Sequence, residues 1–239
     1  MIDIDFTSAN TDLKNKKLSA IFSADNFVYT LFDEQDTMVA CRSMNDFRSF
    51  DSLVEELAPS SISIVVKTIH FGHFGDVSRI PFQSPAMKIE KLTGQEKWCA
   101  YEAPLTPRER NVRHFSTVLN HHYYLRSNKV FQIHFDQERI HFYLQKDGEI
   151  VLYNCYPMAS YTDLLYYYTF ISQSIDVDPN TVPLYLSGLI DRNSKAFIEL
   201  AALHNDIRFI SLDQFSIHTT RQDLRKHYYF DHFINILCG

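Results

Sequence analysis

The sequence predicts an α/β protein built from two copies of one β-β-β-α-β unit. Three observations carry this expectation. First, Leu18, Ala20, Phe22, Phe27, Tyr29 and Leu31 alternate with other residues. The same six apolar positions recur at Phe131, Ile133, Phe135, Ile140, Phe142 and Leu144, a constant shift of 113 (131 minus 18). Second, each pair of alternating runs is followed by a third strand and then by an apolar stripe at helical spacing. Third, each stripe is followed by a short continuous apolar run, Ile62 to Val66 and Val182 to Leu186, as a strand buried on both faces requires. Any two hairpins alternate; the same order of elements after both is the signature of a repeat.

Residues 1–16 are polar and non-periodic and read as a loosely held arm. The first half, 17–105, opens with the hairpin and continues through Met38 and Ala40. Asn45 is positioned to cap a helix whose stripe is Phe47, Phe50, Leu53, Val54 and Leu57, and Pro59 stops it. A further strand is expected around Val77 to Ile80. Thr106-Pro107-Arg108-Glu109 reads as a capping box with Pro at the first helical position. It opens a connector helix, over 106–127, through Val112, Phe115 and Leu119. The second half, 128–239, has its third strand from Ile150 to Cys155. Ser160 caps a helix bearing Leu164, Leu165, Tyr168, Ile171 and Ile175. A second helix runs from about Ser194 to His204, then a strand near Ile207 to Ile210. A closing helix over Asp223 to Leu237 turns Leu224, Tyr228 and Phe233 inward.

The formal net charge is −6, which argues against nucleic-acid binding, since that needs a basic face to displace phosphate counterions. Two small basic spots (Arg108, Arg110 and Arg113; Arg221, Arg225 and Lys226) read as solvated helix faces. Cys41, Cys99, Cys155 and Cys238 are far apart and form no CxxC pair, a pattern that suits a reducing cytosol. No apolar run approaches a membrane span, and the start lacks a basic leader, so a cytoplasmic protein is expected.

Histidine is plentiful, which raises zinc as a ligand. His70 with His73, His121 with His122, and His227 with His232 beside Asp231 all lack the spacing of a ligand set, so no metal is expected. There is no GxSxG elbow for a Ser-His-Asp hydrolase, and no catalytic residue is assigned. Tyr166-Tyr167-Tyr168 is explained by packing of Tyr168 and partial exposure of its neighbours; a shared exposed patch would instead indicate a partner surface.

Three strands, a helix and a parallel strand, given twice, resemble the plan of the actin, hexokinase and Hsp70 superfamily. A narrower resemblance rests on Tyr153-Asn154-Cys155-Tyr156, the helix from Asp163 to Phe170, Pro183-Leu184-Tyr185-Leu186-Ser187-Gly188 and the ending Leu237-Cys238-Gly239. These are similar to an uncharacterised family of Bacteroidetes-type bacteria with a degenerate actin-like ATPase fold. The resemblance covers most of residues 17–239 and implies two repeated ribonuclease H-like halves.

In such ATPases each hairpin turn holds a phosphate, an Asp ends the first strand, and a Gly soon after admits the phosphate to backbone N–H groups. Here the turns read Ser23-Ala24-Asp25-Asn26 and Asp136-Gln137-Glu138-Arg139. Asp136 matches the family Asp, whereas Ser23 stands at its counterpart. Neither turn has Gly, and Asp25 and Glu138 add negative charge instead. The adenosine segment, with paired glycines in the superfamily, reads Leu186-Ser187-Gly188-Leu189 and keeps one. The expectation is a non-catalytic module that binds a protein partner or its own copy, with no cofactor. The alternative is a nucleotide-binding protein or weak ATPase holding ATP and Mg²⁺ through Asp136, Ser187 and Gly188.

Overall fold

The structure, a computed structural model, describes residues 5–9, 11–23, 26–68, 71–76, 78, 80, 86–103, 112–123, 129–175, 177–219 and 221–238, with the backbone alone at Phe47 and Phe74. In chain order it runs β1 (Phe6–Thr7), β2 (Lys17–Phe22), β3 (Phe27–Phe32), β4 (Thr37–Met44), α1 (Phe50–Leu57) and β5 (Ser61–Val66). Then come β6 (Phe71–Phe74), β7 (Met87–Lys91), β8 (Trp98–Glu102), β9 (Val112–His114) and α2 (Phe115–Tyr123). They are followed by β10 (Val130–Phe135), β11 (Arg139–Lys146), β12 (Glu149–Pro157), α3 (Tyr161–Ser174) and β13 (Leu184–Gly188). The chain closes with α4 (Lys195–Leu203), β14 (Ile207–Phe209), β15 (Ser216–Ile217) and α5 (Phe230–Cys238).

The chain divides into two compact units. Unit 1 takes in Met1–His122, Asp213–Lys226 and Asp231–Gly239; unit 2 takes in Tyr123–Leu212 and His227–Phe230. Contiguous halves at 17–105 and 128–239 are therefore not how the chain is partitioned: it returns to unit 1 at Asp213. The reason lies in α5, whose Phe233 ring stacks on Phe215 and meets the edge of Phe32 within unit 1.

Unit 1 has a sheet ordered β1-β4-β3-β2-β5-β9, with β15 also pairing β4, and a small sheet ordered β6-β8-β7. Unit 2 has one sheet ordered β12-β11-β10-β13-β14. Stripped of its additions, the first sheet reads third, second, first and fourth strand of its unit, and so does the second. The registers agree residue by residue. Leu18 lies opposite Leu31, Ala20 opposite Tyr29 and Phe22 opposite Phe27; Phe131 lies opposite Leu144, Ile133 opposite Phe142 and Phe135 opposite Ile140. Even the bulge recurs, between Leu31 and Phe32 and between Leu144 and Gln145. Leu18, Ala20, Phe22, Phe27 and Leu31, with their counterparts, are at most 2 % exposed, so each hairpin commits one face to a core.

Local details follow their residues. Ser160 caps α3 with a reciprocal box: Asp163 N–H donates to its Oγ, and Asp163 Oδ2 accepts from the Ser160 N–H. Leu164, Tyr168 and Ile171 then face a core with Phe131, Ile133, Leu184 and Leu186. Ser194 caps α4 in the same sense. Asp147 and Gly148 both have positive φ, the turn that matches strand twist in a two-residue hairpin.

Three expectations are corrected. Residues of the arm are pinned, since Phe6 pairs with Cys41 and is buried. Asn45 does not cap α1; a 3-10 turn over Phe47–Ser49 intervenes, and Ser49 stands at the cap position without a side-chain capping bond, its Oγ donating instead to Asp46 O. Val112 belongs to a strand, and the helix begins at Phe115 because β9 continues the sheet beside β5 first. The small sheet uses Phe71–Phe74, and of the strand expected around Val77 to Ile80, Val77 and Arg79 lie outside the described residues. The capping box at 106–109 and the turn residues Ala24 and Asp25 also lie outside them.

Candidate functional site

In unit 2 the sheet brings the sequence-predicted residues to one strand end. Asp136 leaves β10 into a two-residue turn closed by its own N–H donating to Arg139 O at 2.8 Å. The Glu138 side chain is exposed, and its carbonyl accepts from Met158 N–H. Ser187 and Gly188 end β13, which runs parallel to β10, with Ser187 opposite His134 and Gly188 opposite Phe135. Leu189 N–H donates to Phe135 O, closing the approach.

Asp136 is not left to solvent. Its Oδ2 lies 2.9 Å from His141 Nε2 and its Oδ1 3.5 Å from His134 Nε2. His141 Nδ1 meets Tyr153 OH at 2.9 Å, and His134 Nδ1 meets Ser187 Oγ at 2.9 Å. Gln132 Nε2 donates to the same Ser187 Oγ at 2.7 Å. The Ser187 and Tyr153 hydroxyls are able to donate to the Nδ1 atoms, an arrangement that leaves His141 Nε2–H to donate to Asp136 Oδ2, with His134 Nε2 3.5 Å from Oδ1. The network runs from Gln132 to Tyr153, and the Phe230 ring lies tilted against His134. Gln132, His134, His141, Tyr153 and Ser187 are all buried. Such a relay holds Asp136 through Oδ2, which is bonded to His141, while Oδ1 has His134 3.5 Å away; chemically it can orient groups.

Strand histidines have no helical ligand spacing, so no motif marks the partners of Asp136. Another signal was present. A hairpin that pairs Phe135 with Ile140 must set His134 directly opposite His141, as it does.

The corresponding strand end of unit 1 carries other chemistry. Ser23 N–H donates to Asn26 O at 2.9 Å, and Lys67, after β5, donates its N–H to Phe22 O, as Leu189 does to Phe135. Ser19 Oγ and Thr30 Oγ1 lie 3.3 and 3.0 Å from His232 Nδ1, while Asn235 donates to Ser19 Oγ and Ser63 O. Lys67 Nζ is 2.6 Å from Asp231 Oδ2, and both side chains are buried.

A second buried cluster joins β6, β7, β8, β9 and α2. Ser116 Oγ lies 2.9 Å from His73 Nε2 and 2.7 Å from His114 Nδ1, and Cys99 Sγ is 3.7 Å away. Glu90 accepts from His114 N–H at 2.7 Å. Burial first, then Lys97, holds His73 down at about 4; burial first, then Glu90, pushes the Cys99 thiol up to about 12. Ser116 is fully buried, and a thiol so raised is no nucleophile. The cluster spans residues 73 to 116, with no spacing that a sequence could display.

Burial also raises Glu90 from 4.5 to about 7, against smaller lowering effects of Thr117, His114 and Arg113. The folded state therefore binds the extra proton, and the stability this carries is lost as pH rises from 4.5 through 7. His73 works oppositely, losing stability as pH falls from 6.5 through 4. Glu90→Gln is expected to match the wild type near pH 4.5. At pH 8 it should exceed the wild type by about 2 kcal/mol. Urea titrations at the two pH values check this; equal stability at pH 8 would refute it.

Apolar side chains break the surface on the helices of unit 2: Tyr161, Tyr166 and Phe170 on α3, Ile198 and Leu203 on α4. Tyr156 of β12 stacks on Tyr167 at 4.2 Å, Tyr167 meets Tyr166 edge-on, and Tyr166 stacks on Phe170. Tyr168, by contrast, is buried, with its hydroxyl 2.7 Å from His204 Nδ1. Among the described residues no helix is long and apolar enough to cross a membrane.

Comparison with solved structures decides the architecture. The whole chain aligns with the whole of a Bacteroides thetaiotaomicron protein with actin-like ATPase fold and unknown function, at a TM-score of 0.69 and 14 % identity. The chain has the actin-like ATPase fold. A second solved structure, the PilM–PilN type IV pilus biogenesis complex, is similar over 94 % of this chain and 97 % of the matched one, with a TM-score of 0.58 and 10 % identity. Residues 108–207 match the family described as Protein of unknown function (DUF3822). No curated protein matches the chain. At these identities the neighbours bear on the fold alone. Within that actin-like frame Asp136, Ser187 and Gly188 stand together at the strand ends of unit 2, and the two histidines stand with them.

Proposed function

We propose that this actin-like protein acts by binding another protein chain, and that the nucleotide site usual to its fold has been given over to an internal hydrogen-bond network. One observation carries the reading: both carboxylate oxygens of Asp136 face imidazole nitrogens, and Ser187 Oγ is shared by Gln132 and His134. A phosphate or Mg²⁺ at Asp136 would have to displace these contacts. Hydrogen bonds to a charged group are worth roughly 1.5–3 kcal/mol each. Losing the one from His141 to Asp136 lowers affinity by roughly tenfold to a hundredfold. The exposed aromatic side chains of α3 and the apolar ones of α4 supply surface for a partner, and PilM, a protein of the same fold, occurs in a complex with PilN. We take the shared strand order and register of the two units to reflect one duplicated unit, and a reducing cytoplasm suits the four free cysteines.

The alternative, a nucleotide-binding protein or weak ATPase using Asp136, Ser187 and Gly188, is tested directly. Calorimetric titration with Mg²⁺-ATP at millimolar concentration is expected to give no binding heat and no thermal stabilisation. Stabilisation that disappears in Asp136→Ala would give the nucleotide reading precedence.

A further inference from the structure

The helix layer of unit 2 differs from the rest of the surface. Seven large apolar side chains are exposed among the described residues, and five of them lie on this layer: Tyr161, Tyr166 and Phe170 on α3, Ile198 and Leu203 on α4. The two helices run side by side. Lys195 Nζ, at the start of α4, lies 3.9 Å from the centre of the Tyr161 ring at the start of α3. Tyr168, about two turns on, meets His204 just past the end of α4. Their solvent side is short of charge. From Leu164 to Ser174 α3 carries none, and Tyr166, Thr169 and Gln173 form its exposed crest. On α4 the crest is Ile198, Ala201 and Ala202, and Lys195 and Glu199 are the only charged residues of that helix.

A helix side that faces water ordinarily carries charged residues. Aromatic surface depleted of charge is instead the composition of the core of a protein interface. The pattern also separates the occupants such a face could take. A helix layer that lies on anionic lipid carries Lys and Arg along its polar face, and here Lys195 alone is present, its ammonium held over Tyr161. The three aromatic side chains by themselves expose about 300 Å² per copy. Ile198, Leu203 and the small residues between them bring the face to roughly 600 Å² or more, against the ~800 Å² that each partner of a specific complex covers.

We propose that the α3–α4 layer of unit 2 packs against the same layer of a second copy of this chain, about a two-fold axis. This rests on the protein-binding reading above and names its partner. The face is suited to itself. Tyr166 and Phe170, stacked on each other, stand up as a ridge on α3, whereas Ala201 and Ala202 leave α4 low. An axis running between the two helices sets the ridge of each copy on the low helix of the other, so that both contacts form at once. Charge points the same way. Each chain carries a net charge of −6, which opposes contact through the charged surface of two like chains. A face almost free of charge is where they can meet.

The experiment is sedimentation of the full chain and of Tyr166→Lys, Ile198→Glu and Val151→Lys, with circular dichroism and thermal melts to verify folding. The wild type is expected to dimerise at micromolar concentration. Tyr166→Lys and Ile198→Glu should each weaken the dimer by roughly tenfold or more. Val151→Lys, at an exposed apolar position away from both helices, should leave it unchanged. Because α3 of one copy meets α4 of the other, mixing the two weakened variants should restore a one-to-one dimer; variants that stay apart when mixed overturn the two-fold arrangement. A wild type that stays monomeric at hundreds of micromolar overturns the pairing. So does a dimer that is lost in Val151→Lys and kept in the other two. Neither of these results touches the protein-binding reading, which fails on the Mg²⁺-ATP titration above.

Discussion

Lys67→Met is expected to cost about 3–5 kcal/mol of stability, the range for removing one partner of a buried ion pair. Lys67 Nζ lies 2.6 Å from Asp231 Oδ2, and the two side chains are only 2 % and 9 % exposed. The ammonium also sits 4.8 Å over the Phe115 ring, an additional attraction lost with the charge. Asp231 would remain in unit 1 as a carboxylate without its cation, and low dielectric makes that costly. In a chain of this size the melting temperature should fall by roughly 10 °C. The double variant Lys67→Met, Asp231→Leu is the control. With both charges gone the desolvation cost disappears too, so most of the loss should be recovered. A single variant within 1 kcal/mol of the wild type would show that the pair contributes little.

Lys67 also shows what a sequence conceals. Read along the chain it follows a buried strand, where a surface loop would be the ordinary expectation. Its partner lies on α5, far along the chain, and nothing local announces the pairing. The hairpins were legible because one buried face imposes a period of two, and a register error would turn every apolar residue outward. The constant shift from Leu18 to Phe131 through Leu31 to Leu144 is that constraint written twice. β1 was not legible, since two residues cannot show a period; only Phe6 marks it. The small sheet joins Phe71–Phe74 to Trp98–Glu102 across an intervening segment, and a long-range pairing of short strands has no local signature. At the site, the superfamily pattern picked out Asp136, Ser187 and Gly188. What made the difference chemically, His134 and His141, sits between Ile133 and Phe135 and between Ile140 and Phe142. The alternation that located the core thus put both histidines on the other face.

Gly188→Ala is expected to be as damaging as the loss of Lys67, for a reason unrelated to any ligand. Gly188 has φ +77, a left-handed conformation that costs an L-residue roughly 1–2 kcal/mol. A Cβ built there would also fall closer than 3.0 Å to the Phe135 carbonyl oxygen, carbon and nitrogen. All three are backbone atoms of the neighbouring strand β10, so no side chain can rotate away. Relief requires β13 to move off β10, and that breaks the donation from Leu189 N–H to Phe135 O. Together these cost about 3–5 kcal/mol, from the strain and the overpacking of a tight contact. Ser187 lies one residue away, so the shift should also loosen His134 and expose the Asp136 network. Strand packing alone then accounts for a glycine at this position. Chemical denaturation of Gly188→Ala in the absence of any nucleotide measures this. If the variant were as stable as the wild type and altered only a response to Mg²⁺-ATP, Gly188 would have to be assigned to a ligand instead.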